Sequence, residues 1–270
     1  MGGSGDRSGA FLTIAGSDSG GGAGLQADLK TSQAFGVFGT SVVTCVTAQN
    51  TVEVREVTVL PAGVVLAQID AVLSDIPVAA IKTGVLPSVE IVRAVAEVLQ
   101  RPGMPPAIVD PVLVATSGDA LAGSDVAREL ADVLLPAAAL VTPNLEEARV
   151  LSGRGVETRE EMRAAAVALR DRGARAVLIK GGHLQGLAVD VLLDDQGFEE
   201  FSAPRVGEGS AHGTGCTLSA AIAAGMARGL SLRDAVGRAK KFVHRAIENS
   251  RVLGGGSRVL DFGSPSGDSL

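Results

Sequence analysis

The 270-residue sequence contains no tryptophan, no tyrosine and only two cysteines, Cys45 and Cys216. Because aromatic residues make up only 3% of the chain, few side chains could stack on nucleic-acid bases. The net charge of −6 argues against a surface that neutralises many phosphates. Two cysteines far apart suit a reducing compartment better than a disulfide scaffold. We therefore predict a cytoplasmic protein with no nucleic-acid partner.

Long apolar runs and several catalytic signatures are also missing from the sequence. No run reaches the roughly 18 apolar residues of a membrane span, so no membrane partner is predicted. No G-x-x-x-x-G-K-[ST] or G-x-S-x-G sequence occurs, which argues against a P-loop and a serine hydrolase. The three histidines, His183, His212 and His244, lack the spacing of zinc ligands.

Short apolar runs alternate with helical patterns along the chain, which predicts an α/β fold with a mostly parallel sheet. The strand candidates are 11–16, 41–50, 79–86, 107–114, 139–144 and 176–182. The helix candidates are 24–35, 61–74, 88–100, 124–134, 145–152, 158–172, 215–229 and 231–249. A hairpin is predicted over 188–204. We expect one domain over 11–253, a flexible segment over 1–10 and a loose tail over 254–270.

Polar and glycine residues follow six of the predicted strands, as in "AGSDSGGGAG", "AQNT", "KTG", "DP", "TPN" and "KGGH". The carboxyl ends of parallel strands meet at one edge of a sheet, and ligands of such sheets bind there. The sequence therefore predicts one shared crevice.

The glycine turn at 213–215 runs directly into a helix of small residues and carries Cys216 at the helix start. Unpaired N–H groups and the positive end of the helix dipole favour an anion at such a place. The same field would lower the pKa of the Cys216 thiol. The alternative is a tight turn beside an inert, buried cysteine.

A second glycine-rich stretch, "GSDSGGGAGLQAD" at 16–28, contains a match to the dinucleotide-binding pattern at 22–27. The next strand ends in Gln49 and Asn50, where that pattern requires an acid for the ribose. The missing acid argues against a dinucleotide site. A dinucleotide-binding or non-catalytic protein is kept as the alternative from a different class. A packing turn and a substrate contact both stay open for this stretch.

Polar residues at three strand exits require an interpretation. Asn144 and Glu147 fit a helix capping box, although the carboxylate could also hold water on Mg²⁺. Asp110 could cap a turn or serve a metal-bound water or a proton relay. Lys180 leaves a buried strand, where an anionic partner would be expected.

Taken in order, "LTIAGSDSGGGAGLQADLKT", "TAQNT", "KTGVL", "DPVLVATSGDAL", "TPNLEEA", "KGGH" and "HGTGCT" resemble the hydroxymethylpyrimidine/phosphomethylpyrimidine kinases of thiamine biosynthesis, in the ribokinase-like superfamily. The resemblance covers about residues 11–250 and implies a three-layer α/β/α sandwich and a homodimer. It also implies ATP, Mg²⁺ and two phosphorylations, first of 4-amino-5-hydroxymethyl-2-methylpyrimidine and then of its monophosphate.

The resemblance also implies roles for residues at matching positions. The implied substrate-binding residues are Gln49, Gly16, Asp28, Val85 and Val112. The implied catalytic residues are Cys216, Gly213, Thr214, Gly215 and Lys180. The implied ATP-binding residues are Asn144, Lys180, Thr214 and Lys240. Asp110 and Glu147 are implied at the metal, through water or phosphate.

A pyridoxal kinase of the same superfamily is the nearest alternative, since some of those enzymes share the "HGTGC" turn. Gln49 and the "GSDSGGGAG" run favour the pyrimidine. Val85 stands where the family commonly has methionine, which leaves the size of the ring pocket open.

Overall fold

A computed structural model describes residues 9–113, 123–182, 186–206 and 211–263. Within them a nine-stranded sheet has the strand order β3-β2-β1-β4-β5-β6-β7-β8-β9. The strands are β1 (Ala10–Asp18), β2 (Gly39–Gln49), β3 (Val54–Val59), β4 (Val78–Thr83), β5 (Ala107–Val109), β6 (Leu140–Val141), β7 (Val177–Gly181), β8 (Ala188–Asp194) and β9 (Gly197–Ala203).

The six central strands, β1, β2 and β4 to β7, run parallel, and the predicted hairpin forms β8 and β9. β3 pairs antiparallel with β2 and was not predicted. Its residues are mostly exposed, so the segment lacks the buried apolar pattern by which the other strands are recognised. The predicted parallel sheet is confirmed.

Helices cover both faces of the sheet, as in a three-layer sandwich. They are α1 (Gly24–Ala34), α2 (Ala62–Leu73), α3 (Val89–Leu99), α4 (Ser124–Glu129), α5 (Leu145–Ser152), α6 (Arg159–Asp171), α7 (Thr214–Ala227) and α8 (Leu232–Glu248). Leu12 and Ile14 face the core beneath α2 to α6, whereas Phe11 faces the core beneath α7 and α8. The predicted fold class is confirmed.

The predicted helix 124–134 is interrupted. Regular α-helix ends at Glu129, a π-helical turn covers Leu130–Leu134, and a 3₁₀ turn covers Leu135–Ala137. Pro136 has no N–H and cannot continue an α-helix, so the chain tightens before β6.

α7 is buried on nearly every side, because it packs against the sheet, α1 and α8. Its small side chains allow this close approach. A Cβ atom on Gly225, for example, would lie 3.2 Å from the Cβ of Ala235 on α8. Tight packing therefore fixes the start of α7 at the carboxyl edge of the sheet.

The end of the chain differs from the predicted loose tail. β11 (Arg258–Val259) pairs with β10 (Ala211–His212), which immediately precedes the glycine turn. The N–H of Ser257 donates to the carbonyl of Thr51, so the same segment reaches the loop after β2. Part of the predicted tail thus joins the domain, and 264–270 lie outside the described residues.

No described helix combines the length and the apolar character needed to cross a membrane.

Candidate active site

The glycine turn places the start of α7 at the crevice. Gly213 adopts a left-handed φ of 82°, and a Cβ atom there would collide with the carbonyl oxygen of Gly22. No side chain in the described part of the chain caps α7. The N–H groups of its first turn, at Thr214, Gly215 and Cys216, are therefore available to an anion.

Lys180 and two carboxylates border this turn. Lys180 Nζ lies 2.7 Å from Asp110 Oδ1 and 3.9 Å from Glu147 Oε2. A Cβ atom on Gly215 would lie 3.2 Å from Lys180 Nζ and 3.8 Å from Asp110 Oδ2. The space that glycine leaves open thus lies directly beside a fixed positive charge, as a bound phosphate requires.

The carboxylates beside Lys180 differ in their electrostatics. Burial and the nearby charge of Asp110 raise the pKa of Glu147 to about 7, although Lys180 opposes both effects. Burial also opposes the charge of Asp110, but Lys180 and Lys82 lower its pKa. The hydroxyl of Thr142 donates to Asp110 as well. Asp110 is therefore the fixed negative charge of this cluster.

Asn144 and Glu147 form the predicted capping box of α5. The N–H of Glu147 donates to Asn144 Oδ1, and the N–H of Asn144 donates to Glu147 Oε2. The structural interpretation is thus correct for this pair. Glu147 still faces Lys180 with its carboxylate, so the box also orients an acid at the crevice.

A buried ion pair below the turn was missed by sequence reasoning. Lys82 Nζ lies 2.8 Å from Asp28 Oδ2, both side chains are completely buried, and Thr13 Oγ1 donates to the same carboxylate. Although burial opposes its charge, Asp28 raises the pKa of Lys82, with smaller effects of Cys216 and Asp110. The only signal in the sequence is a lysine inside the otherwise apolar run 78–83.

Asp28 was expected near the substrate, among the substrate-binding residues. Its two oxygens are occupied by Lys82 and Thr13, and none of its side chain is exposed. A direct contact with substrate would require this pair to open, so a role of Asp28 toward substrate stays a prediction. In the structure, Asp28 holds the charge of Lys82 in place near Cys216.

The expected low pKa of Cys216 is wrong. Burial raises the pKa of this half-buried thiol to about 11. Lys82 and the N–H of Gly24 favour the thiolate, but Asp28 and Asp110 oppose it. Burial, with a smaller contribution from the two carboxylates, therefore outweighs Lys82 and keeps the thiol neutral near pH 7.

Gly16 and Val85, both predicted to bind substrate, lie together at the other side of the crevice. A Cβ atom on Gly16 would lie 2.7 Å from Cys45 Sγ and 3.7 Å from Val85 Cβ. Glycine at position 16 thus makes room for the Cys45 thiol beside Val85. Val112 follows β5, two residues beyond Asp110, and is half-buried.

Gln49, at the end of β2, contacts a histidine that the sequence analysis left without a role. His212 Nε2 lies 3.1 Å from Gln49 Nε2 and 3.1 Å from Asp18 Oδ2. No cluster of three potential metal ligands occurs in the described ranges, and His183 lies outside them. The contact between His212 and Gln49 joins residues 163 positions apart, so spacing gave no signal.

Lys240, predicted to bind ATP, lies on α8 and is paired with the buried Asp190, 2.7 Å away. Asp190 also accepts from the N–H of Gly181 at the end of β7. Lys240 is thus tied to the strand that carries Lys180, while its contact with nucleotide stays a prediction.

A three-layer α/β/α fold with an uncapped helix start beside a lysine and two carboxylates defines a small-molecule phosphotransferase of the ribokinase-like class. The family model described as phosphomethylpyrimidine kinase matches residues 18–261. The chain therefore belongs to this family, as its motifs predicted.

Individual relatives agree with this assignment. The chain is 52% identical to the hydroxymethylpyrimidine/phosphomethylpyrimidine kinase of Rhizobium meliloti over 87% of its own length and 89% of the relative. The crystal structure of phosphomethylpyrimidine kinase from Clostridium difficile is similar with a TM-score of 0.79 and 39% identity, covering 88% of this chain and 99% of that one. Pyridoxal kinase from Staphylococcus aureus, in complex with AMP-PCP and pyridoxal, is similar with a TM-score of 0.85 and 37% identity, covering 95% and 94%.

We predict that Lys82→Met destabilises the protein by about 3–5 kcal/mol, because Asp28 would stay buried without a compensating charge. Urea unfolding measures this loss. The exposed Lys241 provides the control, since Lys241→Met should change the stability by less than about 0.5 kcal/mol. Adding Asp28→Asn to Lys82→Met should recover part of the loss. Equal effects of the two lysine substitutions would contradict a structural role for the buried pair.

Proposed function

We propose that this protein transfers the γ-phosphoryl group of ATP to the hydroxymethyl group of 4-amino-5-hydroxymethyl-2-methylpyrimidine, and then phosphorylates the monophosphate. The names of the most similar relatives support this function. The observation that carries it is the uncapped start of α7, with Gly215 open toward Lys180.

In this proposal, the main-chain N–H groups at 213–216 hold the transferring phosphoryl group and Lys180 offsets the charge of the ATP phosphates. Phosphoryl transfer depends mainly on positioning and charge stabilisation, and the pairing of Lys180 with Asp110 beside the turn supports such a role. Thr214, Asn144 and Lys240 complete the proposed nucleotide contacts. The solved complex of pyridoxal kinase with AMP-PCP supports a nucleotide in this fold.

Mg²⁺ fits this site only as an ion that the nucleotide brings with it. The described residues provide no cluster of three metal-binding side chains. Asp110 is already paired with Lys180, and Glu147 is engaged in the capping box. We propose that these two carboxylates orient waters of the ion. When bound, Mg²⁺ would neutralise charge that develops on the phosphates.

Cys216 is the proposed proton acceptor at the reacting alcohol. The thiolate would take the hydroxyl proton as the alcohol oxygen bonds to the γ-phosphorus, and the bond to ADP breaks. A pKa of about 11 makes the thiolate rare near pH 7. A loose transition state tolerates this, because the proton leaves the alcohol late.

The pyrimidine pocket is proposed to lie between Gly16, Val85, Val112 and Gln49. Gly16 leaves room beside Val85, and the Gln49 amide can donate to and accept from a ring that carries an amino group. Asp28 supports this pocket from the interior through Lys82.

Pyridoxal kinase is the second candidate function. The specific observation in its favour is the close similarity to the pyridoxal kinase structures, with TM-scores of 0.85 to 0.87. Sequence identity favours the pyrimidine, at 52% for the Rhizobium relative against 37% for the pyridoxal kinase.

We expect ATP consumption with the hydroxymethylpyrimidine and with its monophosphate, and much weaker consumption with pyridoxal. A coupled ADP-release assay of the full chain compares the three substrates at equal concentration. Turnover of the monophosphate separates the two candidates, because a dedicated pyridoxal kinase would not use it. Turnover of pyridoxal alone would contradict the proposal.

We expect Cys216→Ala to lower kcat by roughly 10²–10⁴-fold while the KM for ATP changes little, since loss of a general base affects the chemical step. The kcat of the unchanged protein should also rise with pH between about pH 7 and pH 9. The reason is that the thiolate fraction keeps increasing up to the pKa of about 11. Equal losses in kcat and ATP binding, together with a flat pH profile, would identify Cys216 as a structural residue.

We further propose that the protein is a cytoplasmic homodimer. Both cysteines are free thiols, which suits a reducing compartment. β3 is an edge strand whose Val57 and Val59 project from one face and are about 40% exposed. An uncovered apolar edge strand favours pairing with another chain, and a second copy would cover it.

Sedimentation velocity should give the mass of a dimer, and Val57→Lys should shift the protein toward the monomer by placing a charge at the covered edge. Val167→Lys is the matched control, because Val167 is similarly exposed at 42% but lies on α6. A monomer before any substitution, or an equal effect of both variants, would contradict the proposed interface.

A further inference from the structure

His212 lies at the junction of the two glycine-rich loops. It directly precedes the left-handed Gly213 and is almost completely buried. A Cβ atom on Gly22 would lie 2.6 Å from His212 Cδ2, so glycine at 22 makes room for the ring. The position of the imidazole is thus determined by packing from both loops.

Asp18 determines which form of the imidazole is present. Its carboxylate accepts hydrogen bonds from the N–H groups of Gly20, Gly22 and Ala23, at 2.8, 3.0 and 2.8 Å. Burial opposes its charge, but His212 and these main-chain groups lower the pKa of Asp18. A carboxylate only accepts hydrogen bonds. His212 Nε2, 3.1 Å from Asp18 Oδ2, must therefore carry a hydrogen.

The same hydrogen decides what Gln49 can present to His212. An amide can turn by 180° with little change in shape, so the atom that faces a neighbour is fixed by hydrogen bonding. A protonated Nε2 has no lone pair and cannot accept from the Gln49 NH₂ group. The end of the Gln49 amide near His212 is therefore the carbonyl oxygen, which shares the Nε2 hydrogen with Asp18 Oδ2 in a three-centre hydrogen bond.

Thr47 leads independently to the same orientation. Its hydroxyl lies 3.0 Å from the carbonyl oxygen of Ser17 and 3.2 Å from the polar amide atom of Gln49 that does not contact His212. Because a hydroxyl has one hydrogen, and Ser17 accepts it at the shorter distance, Thr47 offers Gln49 a lone pair. The end of the amide near Thr47 must then be the NH₂ group.

We propose that His212 is a positioning residue for substrate specificity, which holds the Gln49 amide with its carbonyl oxygen toward His212 and its NH₂ group toward Thr47. One lone pair and one N–H of the amide stay available, in a fixed order. This pair matches a ring nitrogen next to an exocyclic amine, the edge that an aminopyrimidine offers. A ring with an oxygen in place of the amine fails to match. The specificity part of this inference rests on the proposed function.

The protonation of His212 can be measured without any activity. In the full chain labelled with ¹⁵N-histidine, one-bond and long-range proton–nitrogen correlations identify which ring nitrogen carries hydrogen. Variants His183→Gln and His244→Gln assign the other two signals. We expect Nε2 of His212 to be protonated. An unprotonated Nε2 that accepts from Gln49 would overturn the proposal.

A double-mutant cycle tests whether His212 acts through Gln49. His212→Leu should raise the KM for the aminopyrimidine about three- to tenfold, the value of one hydrogen bond, with the KM for ATP unchanged. His212→Leu should also weaken the preference for the aminopyrimidine over the analogue that carries an oxygen in place of the amine. After Gln49→Ala, the same His212→Leu change should have no further effect, because the amide is gone. Additive losses would overturn the proposal.

His212→Gln is the conservative variant, because its Nε2–H can take the place of the imidazole N–H toward Asp18. The KM of His212→Gln for the aminopyrimidine should lie close to that of the unsubstituted protein. This variant also keeps the test available if His212→Leu fails to fold. His244→Leu, at a partly exposed position on α8, is the control. If the aminopyrimidine were no substrate at all, the proposed function would fail, while the nitrogen correlations would still decide the orientation of Gln49.

Discussion

The first turn of α7 brings uncapped N–H groups next to two lysines, and a buried carboxylate holds each lysine in place. Lys82 is paired with Asp28 beneath the turn, and Lys180 with Asp110 beside it. Neither ammonium can turn away into water, because both side chains are almost completely enclosed. Donors that are fixed before the ligand arrives need no reorganisation during a reaction, which makes their electrostatic effect large.

This arrangement has a consequence for Cys216. Burial is the main cause that raises the pKa of the thiol, and the carboxylates that pair with the lysines add to it. The enclosure that fixes the lysines therefore also disfavours a thiolate. Sequence reasoning considered the helix dipole and the glycine turn alone, and therefore predicted the wrong direction. Burial of the thiol arises only in the folded chain, and the two acids that add to its effect, Asp28 and Asp110, are 188 and 106 positions away along the chain.

The sequence was sufficient wherever a signal is local. The strand and helix alternation, the capping box at Asn144 and the glycine turn at 213–215 all follow from patterns within a few residues. β3 was missed because an exposed edge strand has no buried pattern. Lys82 and His212 were missed because their partners, Asp28 and Gln49, come close only in the folded chain. Contacts between residues far apart in the sequence produce no recognisable spacing pattern.

The backbone cannot distinguish the two candidate substrates, since a pyridoxal kinase and a phosphomethylpyrimidine kinase both superimpose on it closely. In the proposed function, the main-chain N–H groups at 213–216 and Lys180 act on phosphate, which both reactions share. Discrimination must therefore come from side chains that touch the ring, where one hydrogen-bonding group separates an amine from an oxygen. A fixed donor–acceptor order discriminates far better than a freely turning amide, because the wrong ring leaves buried polar atoms unpaired. Asp18, which belongs to neither the phosphate cradle nor the pocket wall, would then determine specificity through the hydrogen that it holds on His212.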